Sequence, residues 1–201
     1  MNLSSRMIIV LTTVGLISGG FLAGVAQLTK ARVALNIQKE IEEAIVEVIP
    51  GTKQNQKLYQ EEDFTIFSGQ DESGSTTGYA VQATGIGFQD KITLMFGIND
   101  SLQKITGLTI IDQKETPGLG AKITDWNIFL QFWEGRDATG QLTLRKPPAS
   151  SLEDLSPSEI NTITGATISS QKVLEIVNLS LEKLRKILSE GKFASEGQDA
   201  N

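Results

Sequence analysis

The 201-residue chain contains no cysteine and no histidine. That double absence removes disulfides, thiolate and imidazole metal sites, iron–sulfur ligation, c-type haem attachment and every catalytic arrangement that pairs serine or cysteine with histidine. Bases are also scarce, 18 Lys+Arg against 24 Asp+Glu, for a formal charge of −6. Such a chain has little to set against a phosphate backbone, so nucleic acid is not an expected partner. With 39% hydrophobic and 21% charged residues it has the composition of an ordinary folded protein. Chemistry performed here must be borrowed from a cofactor or built on carboxylates.

Residues 7–29 run for 23 positions without a charge, between Arg6 and the bases Lys30 and Arg32. As a helix this run extends about 34 Å, enough for a hydrocarbon core of about 30 Å. We read it as a single transmembrane anchor, preceded by a short tail at 1–6. A cleaved signal peptide is the competing reading, because Gly24-Val25-Ala26 supplies small residues, but the apolar core of such peptides is usually only about 7–15 residues long. Gly15 with Gly19, and Gly20 with Gly24, are spaced to let a second membrane helix approach closely, or reflect the frequency of Gly in membrane helices. Flanking bases lie on both sides of the run, so charge gives no orientation.

Beyond the anchor the chain is acidic, and residues 30–190 read as one α+β domain. Val33, Ile37, Ile41, Ile45 and Val48 follow helical spacing until Pro50-Gly51 stops it. A polar stretch follows, then four β-rich segments at 64–68, 78–84, 92–98 and 105–112, which predict a small, mainly antiparallel sheet. Asp125 is placed to cap a brief helix carrying Trp126, Phe129, Phe132 and Trp133 and ending at Gly135, and 141–145 alternates as a strand does. The last helix is expected over 169–189, with Val173, Val177, Leu181, Leu184 and Leu188 on one face and Gly191 ending it. Residues 191–201 read as a polar, disordered tail.

Two segments concentrate small residues and hydroxyls beside these elements. Glu115-Thr116-Pro117-Gly118-Leu119-Gly120-Ala121-Lys122 follows the last β segment. Pro117-Gly118 suits the centre of a type II turn, and Gly120 allows close approach. By itself this is also how a plain turn reads. The second segment, 161–170, contains Thr164-Gly165-Ala166-Thr167 and leads into the last helix, whose first turn has unpaired N–H groups and a positive dipole end suited to phosphate. Local physics leaves the alternative that Thr164, Thr167 or Ser169 simply caps the helix.

Thr164-Gly165-Ala166-Thr167 resembles the flavinylation motif Asp-x-x-(Ser/Thr)-Gly-Ala-(Thr/Ser), whose last hydroxyl is joined to FMN by a phosphodiester. Glu115 through Gly120 resembles the second signature of the same FMN-binding domain, found in Rnf electron-transport complexes and sodium-pumping NADH:quinone reductases. Gly85, Gly87 and Phe88 loosely resemble a glycine-rich stretch of that family. Order, spacing, length and the single anchor are most similar to the G subunit of Rnf, which is related to the C subunit of the quinone reductase. One departure stands out: Asn161 occupies the Asp position, keeping the size and an acceptor oxygen but not the charge.

The resemblance implies covalent FMN on Thr167, with Thr164, Gly165 and Ala166 shaping the approach. It implies that Glu115, Thr116, Gly118, Leu119 and Gly120 line the flavin ring. Lys122 is the candidate positive group near the ring, or an ordinary solubilising lysine. Trp126, Trp133 and Phe88 are candidates to cover the ring, the tryptophans equally readable as core. Attachment implies a separate flavin transferase acting on FAD, because this chain has no machinery for that step. With no iron–sulfur, nicotinamide or haem motif, the chain reads as a relay and not as a complete enzyme. The implied partners are the other membrane subunits of an Rnf-type complex, which passes electrons between ferredoxin and NAD in support of ion movement, with the FMN domain on the extracytoplasmic side of the cell membrane. Two alternatives are a free-standing anchored flavoprotein serving another reductase and a structural subunit without cofactor.

Overall fold

The structure, a computed structural model, describes residues 2–191. The expected polar tail beyond Gly191 lies outside the described residues. The chain divides into two compact units, with the division between Ile41 and Glu42. The first unit is helical, part of α1 (Leu3–Val48), and Leu3–Lys30 is the one helical stretch among the described residues long and apolar enough to cross a membrane.

The second unit is built on a five-stranded antiparallel meander in the order β1-β2-β3-β4-β5: β1 (Gln54–Glu61), β2 (Phe64–Gln70), β3 (Thr76–Ile86), β4 (Lys91–Asn99) and β5 (Ile105–Gln113). Four of these strands cover the expected β segments. The fifth, β1, lies where the sequence reads as merely polar, because it is an edge strand that leaves six of its eight residues exposed and partly buries Leu58 and Tyr59 alone. The α1 residues that belong to this unit end in its core: Ala44, Ile45 and Val48 are buried, as is Ile49 just beyond. Close approach there depends on glycine. A Cβ at Gly97 would lie 2.0 Å from the Val48 carbonyl oxygen, and Gly107, its partner across the β4–β5 ladder, faces the same turn.

Helix α2 (Thr167–Glu190) packs against β3 and β4 through Val173, Val177, Leu181 and Leu184, four of the five positions expected for its inner face, while Leu188 is half-buried. Gly85 on β3 is what lets the helix come so near, since a Cβ there would stand 2.4 Å from Ile176 Cγ1. Gly191 ends α2 at φ +62°, donating its N–H to Ile187 and Leu188 carbonyls, the expected left-handed stop.

Between β5 and α2 the chain is irregular. The brief helix expected after Asp125 is instead a run of turns closing in one 3-10 turn, Leu130–Phe132. Asp125 does accept the Ile128 N–H, but the buried Arg136 takes the Phe132 carbonyl at 3.0 Å, and Phe129 packs edge-to-face on Trp133 at 5.7 Å. These contacts bury Phe129, Phe132 and Trp133 without a regular helical ladder, while Trp126 stays half-exposed. The expected strand near 141–145 is β6 (Thr143–Arg145), paired in parallel with β7 (Glu159–Asn161), a strand too short to show as a pattern.

Candidate functional site

The segment after β5 folds as its composition dictates. Leu119 N–H bonds to the Thr116 carbonyl at 3.1 Å across Pro117-Gly118, and Gly118 adopts φ +77°, the position of a type II turn that favours glycine. A 3-10 helix, Gly120–Thr124, follows.

Just before the turn, Glu115 is 4% exposed and faces three donors. Oε1 accepts the N–H groups of Phe88 at 2.7 Å and Gln89 at 3.0 Å, and Oε2 accepts the Ser169 hydroxyl at 2.7 Å. One carboxylate thus ties the β3–β4 turn, the Pro-Gly turn and the first turn of α2. Two glycines make room for it: a Cβ at Gly87 would lie 2.5 Å from Oε1, and one at Gly120 would lie 2.5 Å from Oε2 and 2.6 Å from Ser169 Oγ. Gln113 accepts the Glu115 N–H, and Thr116 bonds to the Gln89 side chain, closing the junction.

The approach to α2 is equally specific. Gly165 sits at φ +82°, and a Cβ there would stand 3.6 Å from Leu119 Cδ2, so the two motifs meet. Ala166 precedes the helix and is buried, while Thr164, Gly165, Thr167 and Ile168 are exposed. No side chain caps α2. Ser169 is committed to Glu115, and the Ser170 hydroxyl donates back to the Ala166 carbonyl while accepting the Ile163 N–H. The capping role that local sequence allows for Thr164, Thr167 or Ser169 is therefore not taken by any of them. The first turn keeps its positive pole open beside the Thr167 hydroxyl.

Around this junction lies a cleft of about 350 Å³, lined on one side by Phe88, Glu115, Thr116, Leu119 and Gly120 and on the other by Gly165 through Ser169. Phe88, Leu119 and Ile168 stand at its mouth 62%, 50% and 52% exposed, an unusual concentration of apolar surface. Of the residues singled out in the sequence, Glu115, Thr116, Leu119, Gly120, Gly165, Ala166 and Thr167 come together here, with Phe88. Thr164, Gly118, Lys122 and Trp126 do not line the cleft, and Trp133 is fully buried in the core. Ile168 is the lining residue that sequence reasoning did not single out; its signal is only its place beside Thr167 in the exposed first turn. A larger cavity, about 490 Å³ between β6 and α2, is lined by residues such as Gln141, Lys146 and Glu175 and contains neither motif.

The arrangement fits a flat, partly apolar cofactor with an anionic tail. Apolar side chains flank the mouth, the open pole of α2 suits a phosphate, and an exposed hydroxyl stands between them. These features define a cofactor-binding α+β domain. Residues 87–182 match the FMN-binding domain family.

Most of the chain is similar to the G subunit of the ion-translocating oxidoreductase complex of Methanosarcina acetivorans, 27% identical over 185 residues that cover 89% of this chain and 93% of that one. It is also similar to the G subunit of the Na(+)-translocating ferredoxin:NAD(+) oxidoreductase complex of Acetobacterium woodii, 37% identical over 114 residues, 55% of this chain and 50% of that one. In fold it is like the crystal structure of the C subunit of the Na(+)-translocating NADH-quinone reductase from Parabacteroides distasonis, at 19% identity and a TM-score of 0.60, covering 79% of this chain and 96% of that one.

Proposed function

We propose that this protein is the membrane-anchored, FMN-carrying electron-transfer subunit of an Rnf-type ion-translocating complex, with FMN joined through its phosphate to Thr167. The observation that carries this reading is the meeting of the two motifs in one cleft, with Thr167 exposed at an uncapped helix start. Residues 7–29 serve as the anchor, residues 30–190 as the cofactor domain, and the partners are other subunits of the complex together with a flavin transferase for maturation. The domain lies on the extracytoplasmic side of the cell membrane.

FMN supplies what the chain lacks, a group that takes up electrons in pairs and passes them on singly. The chain does the rest. N–H groups in the first turn of α2, with the helix dipole, hold the phosphate charge. Gly165 and Ala166 keep the approach to Thr167 free of bulk, so that a modifying enzyme reaches the hydroxyl. Phe88, Leu119 and Ile168 flank the ring and exclude water. Glu115 acts behind this surface by fixing the three segments that form it.

The test is denaturing electrophoresis under ultraviolet light of protein made with a flavin transferase. A phosphodiester-linked flavin stays on the unfolded chain and fluoresces, and the peptide containing Thr167 gains the mass of FMN less water. Thr167→Ala is expected to abolish the band. Because Thr167 caps nothing, the melting temperature of the flavin-free Thr167→Ala chain should equal that of the flavin-free parent. A fluorescent Thr167→Ala band would overturn the assignment.

A further inference from the structure

The motif position occupied by Asn161 is not on the surface. The residue is 5% exposed and its side chain makes three hydrogen bonds. Oδ1 accepts the Ala149 N–H at 2.8 Å, Nδ2 donates to the Ala149 carbonyl at 3.0 Å, and Oδ1 also accepts the Thr162 N–H at 3.1 Å. One amide therefore clasps both peptide groups of Ala149, much as a neighbouring strand residue would. The clasp sits where the backbone cannot make it. Pro147 and Pro148 have no N–H, so Ala149 offers the first donor after Lys146, and it lies beyond the end of β6. Next to it, the Thr162 hydroxyl donates to the Arg145 carbonyl at 2.6 Å, holding the other end of the same loop.

We propose that Asn161 is a positioning residue: its amide fastens the loop after β6 to the chain that leads into Thr164 and Thr167, and flavin attachment draws on that fixed geometry and not on a charge at position 161. This rests on the reading that Thr167 carries FMN. The chemistry of the clasp requires a donor and an acceptor on one planar group, which an amide has and a carboxylate has not. In Asn161→Asp the second oxygen would face the Ala149 carbonyl, two acceptors about 3 Å apart with no proton between them. Burial also keeps position 161 from direct contact with a modifying enzyme while the domain stays folded. Asn161→Asp, which brings the sequence nearer to the motif, is therefore a worse residue in this chain.

The experiment compares the full chain with Asn161→Asp and Asn161→Leu, each made with and without a flavin transferase. Flavin per chain is read from gel fluorescence, and the flavin-free proteins are melted at about pH 7.5 and about pH 4.5. For Asn161→Asp the expected result is a melting temperature lower by about 4 °C at the higher pH, faster deuterium exchange at the Ala149 amide, and no gain in flavin. The deficit should narrow on acidification. A carboxyl whose charged form is disfavoured in the fold has a raised pKa there, so the stability it contributes is present at low pH and lost as pH rises. A deficit of this kind comes from the missing proton and not from altered bulk. Asn161→Leu, which supplies neither donor nor acceptor, should show a deficit that this acidification does not repair. Asn161→Asp that melts like the parent and takes up flavin faster would overturn the proposal, showing a carboxylate to be what the transferase uses. If the parent itself takes up no flavin, the functional reading falls, while the melting and exchange comparison still decides whether the clasp exists.

Discussion

Glu115 illustrates how much one buried carboxylate can organise. It accepts from two backbone N–H groups and one hydroxyl, each from a segment distant in sequence, and Ser169 lies 54 positions away. Glu115→Ala leaves those donors without a partner at about 1–3 kcal/mol each, so a loss of roughly 3 kcal/mol is expected in urea unfolding followed by tryptophan fluorescence. Glu115→Gln should lose distinctly less, because its amide oxygen keeps Phe88 and Gln89 and the Ser169 hydroxyl can turn to accept from the amide nitrogen. Equal losses for the two variants would mean that shape and not hydrogen bonding matters here. At this scale the sequence brings out most of the residues that line the cleft, misses Ile168 and adds Thr164, Gly118 and Lys122, which do not line it, and it does not show what each does. Glu115 reads as a ring-lining residue by resemblance, whereas its oxygens face the chain's own donors, and no local pattern reveals a bond across 54 residues.

The elements were legible in proportion to how strongly burial shapes their sequence. Helix α2 carries a clear apolar face and an explicit glycine stop, and its range is close to the expected one. Strand β1 has almost no buried face and β7 is three residues long, so neither leaves a period to read. The aromatic run after Asp125 has helical spacing yet forms turns, because spacing of three and four suits a 3-10 turn and an aromatic stack equally well. Packing between elements is specific at Gly85. Gly85→Ala would place a methyl group 2.4 Å from Ile176 Cγ1 and force α2 away from β3, an overpacking that costs about 1–3 kcal/mol. Ile176→Ala in the same chain should recover part of that loss, giving a coupling term in a double-mutant cycle. Strictly additive changes would show that the helix yields elsewhere.

Across the whole molecule, stability should depend on acid in a predictable direction. The Ser73 hydroxyl holds Asp71 below the ordinary carboxylate range, the Lys91 N–H does so for Asp90, the Thr139 hydroxyl for Asp137 and the Ser156 N–H for Glu159. A carboxyl whose folded pKa is depressed contributes stability above its unfolded value, and the contribution is lost as pH falls through the folded value. The melting temperature is therefore expected to hold from neutrality to about pH 5 and to decline below about pH 4. Glu159→Gln should make that decline shallower, which thermal melts at stepped pH will measure.

The bare start of α2 has a consequence for the order of events in the protein's life. A helix has no pole until it is wound, and the cleft has no second wall until Glu115 has reached Ser169. If Thr167 carries FMN as proposed, the nascent strand of amino acids offers a transferase nothing to recognise as a seat for an anion. Only the finished tertiary structure would, so colour, once acquired, would certify that this molecule folded before it was put to use.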